Sequence, residues 1–333
     1  MSYRVCVQDS GASFVVAAGE PLLEAALRQG VRLPHECTFG GCGTCRIKLV
    51  EGQVRYEEMP LALSPQEAQA GHALACQARA CSDLVISLQR ADDAPAAERR
   101  RAVVRAVRRW TPDVVNLQLE VEADRLDYRP GQYMNVLLDD GTHRSFSMAS
   151  APAGNRVDFH VRRIAGGRFT DEGLRRLAQG DRLDVEIPLG NFRLHAEDYR
   201  PIVMAATGTG LAPIKSMLET LMDDDDCPPV SLYWGVRTEA DLYLADEIRT
   251  WGERLYEFDF VPVLSRAGAD WRGRRGHVQD AVAQDFGDLS EHALYLCGSP
   301  AMIADAKQRF LALGADLDHL YVDGFTFQHE AAT

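Results

Sequence analysis

No apolar run in this chain approaches the ~20 residues needed to cross a bilayer as a helix. The N-terminal stretch "MSYRVCVQDS" also lacks the apolar centre of a secretory signal. These two absences predict a cytoplasmic protein that meets no membrane. Positive charge is scarce as well: 36 Lys and Arg face 49 Asp and Glu, a net charge of −13. A polyanion needs a basic surface that neutralises phosphates, so nucleic acid is excluded as a partner. The one basic stretch, "AERRRAVVRAVRR", carries Val103, Val104 and Val107 among its arginines and reads as a strand with solvated cations. A docking patch for an acidic partner is the alternative. There is no internal repeat, and no general base or serine triad has motif support.

What is present is cysteine, in a reducing compartment where eight thiols are more readily ligands, small core residues or reactive groups than disulfides. The segment "HECTFGGCGTCRIKL" holds Cys37, Cys42 and Cys45, and Cys76 follows. The C-x4-C-x2-C…C order is that of plant-type 2Fe-2S ferredoxins. A structural zinc site more often uses two C-x2-C knuckles, and only one occurs here, which disfavours zinc without excluding it. Gly40, Gly41 and Gly43 give the loop the freedom to turn backbone N–H groups toward negatively charged sulfur. Cys6, Cys81 and Cys227 have no place in the pattern.

Three rhythms follow one another along the 333 residues. The first has a hairpin around Tyr3–Val7 and "SFVVAA", a helix in "EPLLEAALRQG", a strand in "RIKLVEG", and a helix opened by the capping box of Ser64 and Glu67 with Pro65 at its first position. "DLVISLQ" is its last strand, and the alanine-rich, charged "RADDAPAAERR" reads as a linker. From about residue 100 to 196 come short strands ("VVNLQLEVE", "QYMNVLLDD", "HRSFSMAS", "RVDFHVRRI", "DRLDVEIP") interrupted by one helix, "TDEGLRRLAQG". That is the pattern of a small antiparallel barrel. From about 199, strands and helices alternate, which specifies a parallel sheet covered on both faces.

The cysteine spacing and this order resemble a known family. Residues 1–92 are similar to a plant-type ferredoxin, and the remainder resembles the ferredoxin-NADP reductase superfamily. Ferredoxin, flavin domain and nucleotide domain in this order are the arrangement of the reductase components of bacterial multicomponent, including ring-hydroxylating, oxygenases. The resemblance implies an α+β ferredoxin (β-grasp) domain over 1–92, an antiparallel FAD-binding β-barrel over 99–197, and a Rossmann-like α/β NAD(P)-binding domain over 198–333. It also implies that Cys37, Cys42, Cys45 and Cys76 hold one 2Fe-2S cluster.

"RSFS", Arg144, Ser145, Phe146 and Ser147, resembles the family's flavin motif, in which the arginine meets the flavin phosphate and an aromatic ring packs on the isoalloxazine. Phe146 stands where the family has tyrosine, so stacking is kept and a phenolic hydrogen bond is lost. In "GGRFT", Gly166 and Gly167 allow close backbone approach, Phe169 follows, and Thr170 opens a helix whose N–H groups can hold a pyrophosphate. This favours one non-covalent FAD over FMN. Asp171 and Glu172 oppose a phosphate there, with Arg168 as compensation. His160, Val161 and Arg162 lie on the strand that resembles the family's FAD-binding strand.

"TGTGLAP" places Gly208, Thr209, Gly210 and Pro213 between a strand and a helix, the context of a dinucleotide phosphate loop. "CGSP" (Cys297, Gly298 and Pro300) resembles the family's Cys-Gly motif, with the thiol bordering the nicotinamide. Ser147 and Cys297 are the residues the resemblance assigns to the hydride step. It also offers Phe325 as the cover of the second flavin face and Arg237, after "YWGV", as a nucleotide contact.

The implied route is hydride from nicotinamide to FAD, then single electrons to the cluster and on to a terminal oxygenase, since flavin alone among the three handles both one and two electrons. The alternatives are a CDP-6-deoxyhexulose reductase that feeds a sugar-modifying enzyme, and a zinc- and nucleotide-binding regulator without catalysis. NADH is the expected donor, because no basic pair follows "YWGVR". Against it stand Ser265 and Arg266, which resemble a 2′-phosphate-binding Ser-Arg, and Arg275 as a possible second cation. Ala267 and His277 depart from that pattern.

Overall fold

The computed structural model describes residues 2–88 and 97–325 apart from Glu36, Cys37, Phe39, Cys42 and Leu61. It forms two compact units, Met1–Asp93 with Gly298–Ala312 and Val322–Thr333, and Ala94–Cys297 with Leu313–Tyr321.

In the first unit the expected hairpin is β1 (Ser2–Val7) against β2 (Ser13–Ala17), with Val5 opposite Phe14. Then come α1 (Leu22–Arg28), β3 (Arg46–Glu51), β4 (Val54–Arg55), α2 (Pro65–Gln69), β5 (His72–Leu74), β6 (Arg79–Ala80) and β7 (Leu84–Ser87). The sheet order is β2-β1-β7-β3-β5, with β1 parallel to β7 and the other pairs antiparallel. Val5, Val7, Leu22, Ala26, Ile47 and Ile86 are fully enclosed between this sheet and α1. Pro21 precedes α1 in an extended conformation instead of forming its first turn. The capping box of α2 is present as expected: Ser64 Oγ accepts from the Glu67 amide, and the Glu67 carboxylate accepts from the Ser64 amide.

In the second unit, β8 (Glu98–Arg109) is the arginine-bearing strand, followed by β9 (Val114–Val121), β10 (Tyr133–Leu137), β11 (His143–Ser147), β12 (Arg156–Arg162) and β13 (Arg182–Leu189). They form an antiparallel sheet in the order β11-β10-β13-β8-β9-β12. A bridge between Met148 and Phe159 joins its two edges, which closes the barrel. On β8, Arg105 pairs with Glu120 and Arg101 with Asp184, both solvated pairs of the kind that add little stability.

The helix expected from Thr170 begins earlier and is wound differently. Gly167 caps a π-helical turn over Arg168–Gly173, and only α3 (Leu174–Arg176) is α-helical. The cause is Asp171, whose carboxylate folds back to accept from the Gly166 amide.

The alternating segment gives β14 (Ile202–Thr207), α4 (Leu211–Leu221), β15 (Val230–Val236), α5 (Ala245–Thr250), β16 (Phe258–Leu264), β17 (Arg274–Arg275), α6 (Val278–Asp285), β18 (Ala293–Gly298), α7 (Pro300–Ala312) and β19 (Leu320–Gly324). The sheet runs β17-β16-β15-β14-β18-β19. β14 pairs in parallel with β15 on one side and β18 on the other, so strand order reverses at β14. Open α/β sheets bind ligands beyond the carboxyl ends of the strands at such a point. Helix α7 belongs to the first compact unit.

Candidate functional site

The cysteine loop runs from α1 to β3. Gly40 and Gly43 adopt φ of 81° and 82°, the left-handed region. A Cβ on Gly40 would lie 2.8 Å from the Pro60 Cβ, so glycine is required where the loop meets its neighbour. Cys45 at the start of β3 and Cys76 just after β5 are both buried, with their sulfurs 3.1 Å apart and no disulfide between them. The Ala75 amide donates to the Cys45 carbonyl, which fixes the two ends. Cys37 and Cys42 lie outside the described residues. Two thiols converging beside a glycine-rich loop fit a metal–sulfur group.

At the barrel, Ser145 Oγ donates to Asn135 Oδ1, and Arg144 is half-buried, with one guanidinium nitrogen donating to the His143 carbonyl. Ser147 ends β11 and is buried. Phe146 and Phe169 touch, their ring centroids 5.4 Å apart, and Phe169 is part of the barrel core. The Asp171 carboxylate lies below its ordinary range, first through the Gly166 amide and then through Arg175 and Arg163. Its charge is therefore met locally, while Arg168 is paired with Asp140. Arg168, Phe169 and Thr170 open the π-helical turn with amides that no intrahelical carbonyl can accept. A Cβ on Gly166 would meet nothing within 4 Å, so the entrance to this turn is open, as an anion at its free amides would require.

His160 and Val161 point into the protein. Val161 is core, and His160 Nδ1 lies 3.1 Å from the Tyr243 hydroxyl, while Nε2 has no partner among the described residues. Burial, then the nearby Lys215 ammonium, holds this imidazole far below its usual pKa, hence neutral. Trp110 stacks on Tyr243 at 5.3 Å and meets His160 edge-on at 4.9 Å. Trp234 of β15 also meets Tyr243 edge-on, and its Nε1 donates to the Gly208 carbonyl at 2.9 Å. An aromatic column thus joins barrel strand β12 to the glycine loop.

Gly208, with φ of 56°, follows β14, and Gly210 begins α4 through a 3-10 turn that includes Thr209. A Cβ on Gly208 would sit 3.5 Å from the Arg162 guanidinium, which is held by Asp113 at 2.8 Å. Pro213 is buried in α4. Cys297 is fully buried near the carboxyl end of β18, opposite Ala206. Gly298 accepts the Phe325 amide at 2.7 Å, and Pro300 starts α7. Arg237 is exposed after β15.

Three families match the chain in succession: the 2Fe-2S iron-sulfur cluster binding domain over residues 5–81, the oxidoreductase FAD-binding domain over 103–194, and the oxidoreductase NAD-binding domain over 204–308. The terephthalate 1,2-dioxygenase reductase component 2 of a Comamonas species is 34% identical over 98% of both chains. The phenol 2-monooxygenase reductase component DmpP of Pseudomonas strain CF600 is 35% identical over 91% of this chain and 88% of its own. The chain belongs to the three-domain iron–sulfur flavin reductases.

Among solved members, the Amycolatopsis cytochrome P450 reductase GcoB superposes with a TM-score of 0.72 at 33% identity over 97% of this chain and 98% of its own. The ferredoxin reductase of carbazole 1,9a-dioxygenase does so at 0.70 and 26% identity, over 98% and 99%. A reductase of this family from Yersinia pestis, named for CDP-6-deoxy-L-threo-D-glycero-4-hexulose-3-dehydrase, is 31% identical over 98% of this chain and 99% of its own. The ferredoxin, barrel and parallel-sheet architecture is as the motifs imply, and no helix among the described residues is long and apolar enough to cross a membrane.

The sequence reading of this reductase missed Trp110, Tyr243, Lys215 and Glu219. The last two are spaced i, i+4 on α4, the only local signal any of them carried.

Proposed function

We propose that this reductase takes electrons from NADH and delivers them singly to a terminal oxygenase, with FAD held by the barrel and one 2Fe-2S cluster held by Cys37, Cys42, Cys45 and Cys76. The observation that carries it is the succession of the three matched domains in one chain with Cys45 and Cys76 converged. Bound there, flavin and cluster supply the conversion of a two-electron hydride into single electrons. The domain limits 1–92, 99–197 and 198–333 enclose the matched spans and are supported by them.

Each residue has a role within this reading. Arg144, Ser145 and the amides of Arg168 to Thr170 would hold the flavin phosphates behind Gly166 and Gly167, and Phe146 would offer its ring face. Ser147, at the end of β11, would contact the flavin ring. His160 and Val161 act from within, shaping strand β12, while Arg162 faces the nucleotide phosphates beside Gly208, Thr209 and Gly210. Cys297, fully buried and followed by Gly298 and Pro300, would border the nicotinamide and exclude water there. The electron acceptor is supported by the oxygenase reductases at 34% and 35% identity, against 31% for the dehydrase reductase.

NADH as donor is supported by the fate of the loop arginines. Arg275 donates to the carbonyls of Ala267, Gly268, Ala269 and Trp271, and Arg274 pairs with Asp285, so neither is available to a 2′-phosphate. Of Arg266 and Arg275, the two cations weighed for a 2′-phosphate, Arg266 is the one without these loop bonds.

The test is Cys76→Ala in the full chain. It should keep NADH-driven ferricyanide reduction and lose cytochrome c reduction, and undiminished cytochrome c turnover would refute the route through the cluster. For the nucleotide, kcat/KM is measured with both donors. A charged hydrogen bond from Arg266, worth about 1.5 to 3 kcal/mol, would give NADPH a preference of tenfold or more that Arg266→Ala abolishes, and that result would overturn NADH.

A further inference from the structure

The chain has three lysines, Lys48, Lys215 and Lys307. Lys307 is the most deeply placed: on α7, between the buried Ala306 and Phe310, it is 1% exposed. Its partner Glu67 is 0% exposed. A buried ion pair contributes less stability than well-packed apolar residues of the same volume, so packing alone gives no reason for the ammonium.

Its bonds all lie within the first unit. Lys307 Nζ donates to the Ala62 carbonyl at 3.0 Å and meets Glu67 Oε2 at 2.5 Å. The same carboxylate accepts from the Ser64 amide and hydroxyl, and its other oxygen accepts from Arg46 at 3.0 Å. Arg46 is the residue after Cys45. The Ala62 amide in turn donates to the Gly40 carbonyl of the cysteine loop at 3.0 Å. One bonded step therefore links the ammonium to the segment that closes on the cysteine loop, and one links the carboxylate to the neighbour of a ligand.

The ammonium and the carboxylate form an ion pair. Burial alone would raise the Glu67 carboxyl, but Lys307, Ser64 and Arg46 bring it below its usual value. Burial pulls the Lys307 ammonium down, and Glu67 resists that pull.

We propose that Lys307 and Glu67 are opposed positioning charges that set the reduction potential of the cluster, Lys307 raising it and Glu67 lowering it, while together they hold Ala62–Glu67 against the cysteine loop. Cluster potentials respond to nearby charge, hydrogen bonding and solvent access. The proposal rests on the 2Fe-2S reading above.

The experiment is a redox titration, followed by electron paramagnetic resonance, of the full-length protein and its Lys307→Met, Glu67→Gln and double variants, each with iron and sulfide measured. Lys307→Met should lower the midpoint and Glu67→Gln should raise it. Each should change the reduction equilibrium by about tenfold, the scale for one charge removed in a weakly polar surrounding. The double variant should return close to the native value. Shifts of the same sign in both single variants, or no shift, would overturn the proposal, since mere loosening has no reason to change sign with charge. If Lys307→Met fails to retain its cluster, Lys307→Arg replaces it: the native potential there, with a raised one in Glu67→Gln, supports the charge, and a lowered one refutes it. Zinc without sulfide in the native protein is a separate failure, that of the cluster reading itself.

Discussion

Replacing Lys215 with methionine isolates what ties the segment after β11 to α4. Lys215 of α4 donates to the Ala149 carbonyl at 3.2 Å and pairs with Glu219, whose other oxygen accepts from the Ala151 amide at 2.9 Å. Methionine keeps the packing of the stem and removes the charge. The lost charged hydrogen bond is worth about 1.5 to 3 kcal/mol. An orphaned partner in a fully buried pair would bring the cost to about 3 to 5 kcal/mol. The Glu219 side chain is 29% exposed, so water takes over part of the lysine's role and the lower end applies. We expect a loss of about 2 to 3 kcal/mol, a fall in Tm of about 4 to 12 °C for a unit of this size. Ala149 to Ala151 begin two residues after Ser147, so KM for NADH should rise as well. Denaturant and thermal unfolding with steady-state kinetics measure both. Glu219→Gln, which can still accept from the Ala151 amide, should cost less than Lys215→Met. A cost below about 0.5 kcal/mol with unchanged kinetics would refute the reasoning, because it lies under the worth of even one neutral hydrogen bond.

His160 gives a pH prediction. Its folded pKa is depressed, so below the unfolded value of about 6.5 the unfolded chain gains a proton that the folded one refuses, and stability falls by up to about 1.4 kcal/mol per pH unit. His195 and His292 are depressed too, so the readout is the shallower slope of His160→Gln against the native protein between pH 6.5 and 5. An identical slope would assign the effect elsewhere. Gly167→Ala would put a Cβ 2.2 Å from Thr170 Oγ1 and 3.0 Å from the Ile164 carbonyl. The strain of about 1 to 3 kcal/mol should weaken FAD about five- to hundredfold. Flavin titration of the stripped protein checks it, and native affinity would exclude this loop from the flavin site.

Spacing and periodicity made the fold legible. The cysteine order, the Ser64–Glu67 capping box and the alternation after residue 199 each reflect local geometry that a short window of sequence reports. The Gly166–Gly173 loop was misread locally because the Asp171 carboxylate takes the Gly166 amide and the turn is wound as a π-helix that no propensity signals. The side of β12 on which His160 lies also escaped, because alternation says which residues share a face and not what the second face meets. Tyr243 and Trp110, which cover it, are 83 and 50 residues away from it in the chain. Lys307 and Glu67 are 240 residues apart, and nothing near either one hints at a counter-charge.

The Ser150 carbonyl accepts both the Tyr128 hydroxyl at 2.8 Å and the Ser216 hydroxyl at 2.6 Å, one from the barrel and one from α4. A single oxygen thereby spends its two lone pairs on segments of two separately matched domains. Any nucleotide module grafted onto this barrel inherits a demand: without counterparts of Lys215, Ser216 and Glu219, it leaves three consecutive peptide groups, Ala149, Ser150 and Ala151, short of partners. Compatibility between modules is thus written in one helical turn, and a chimaera that ignores it starts with a defect beside the flavin motif, however well its own nucleotide loop is formed.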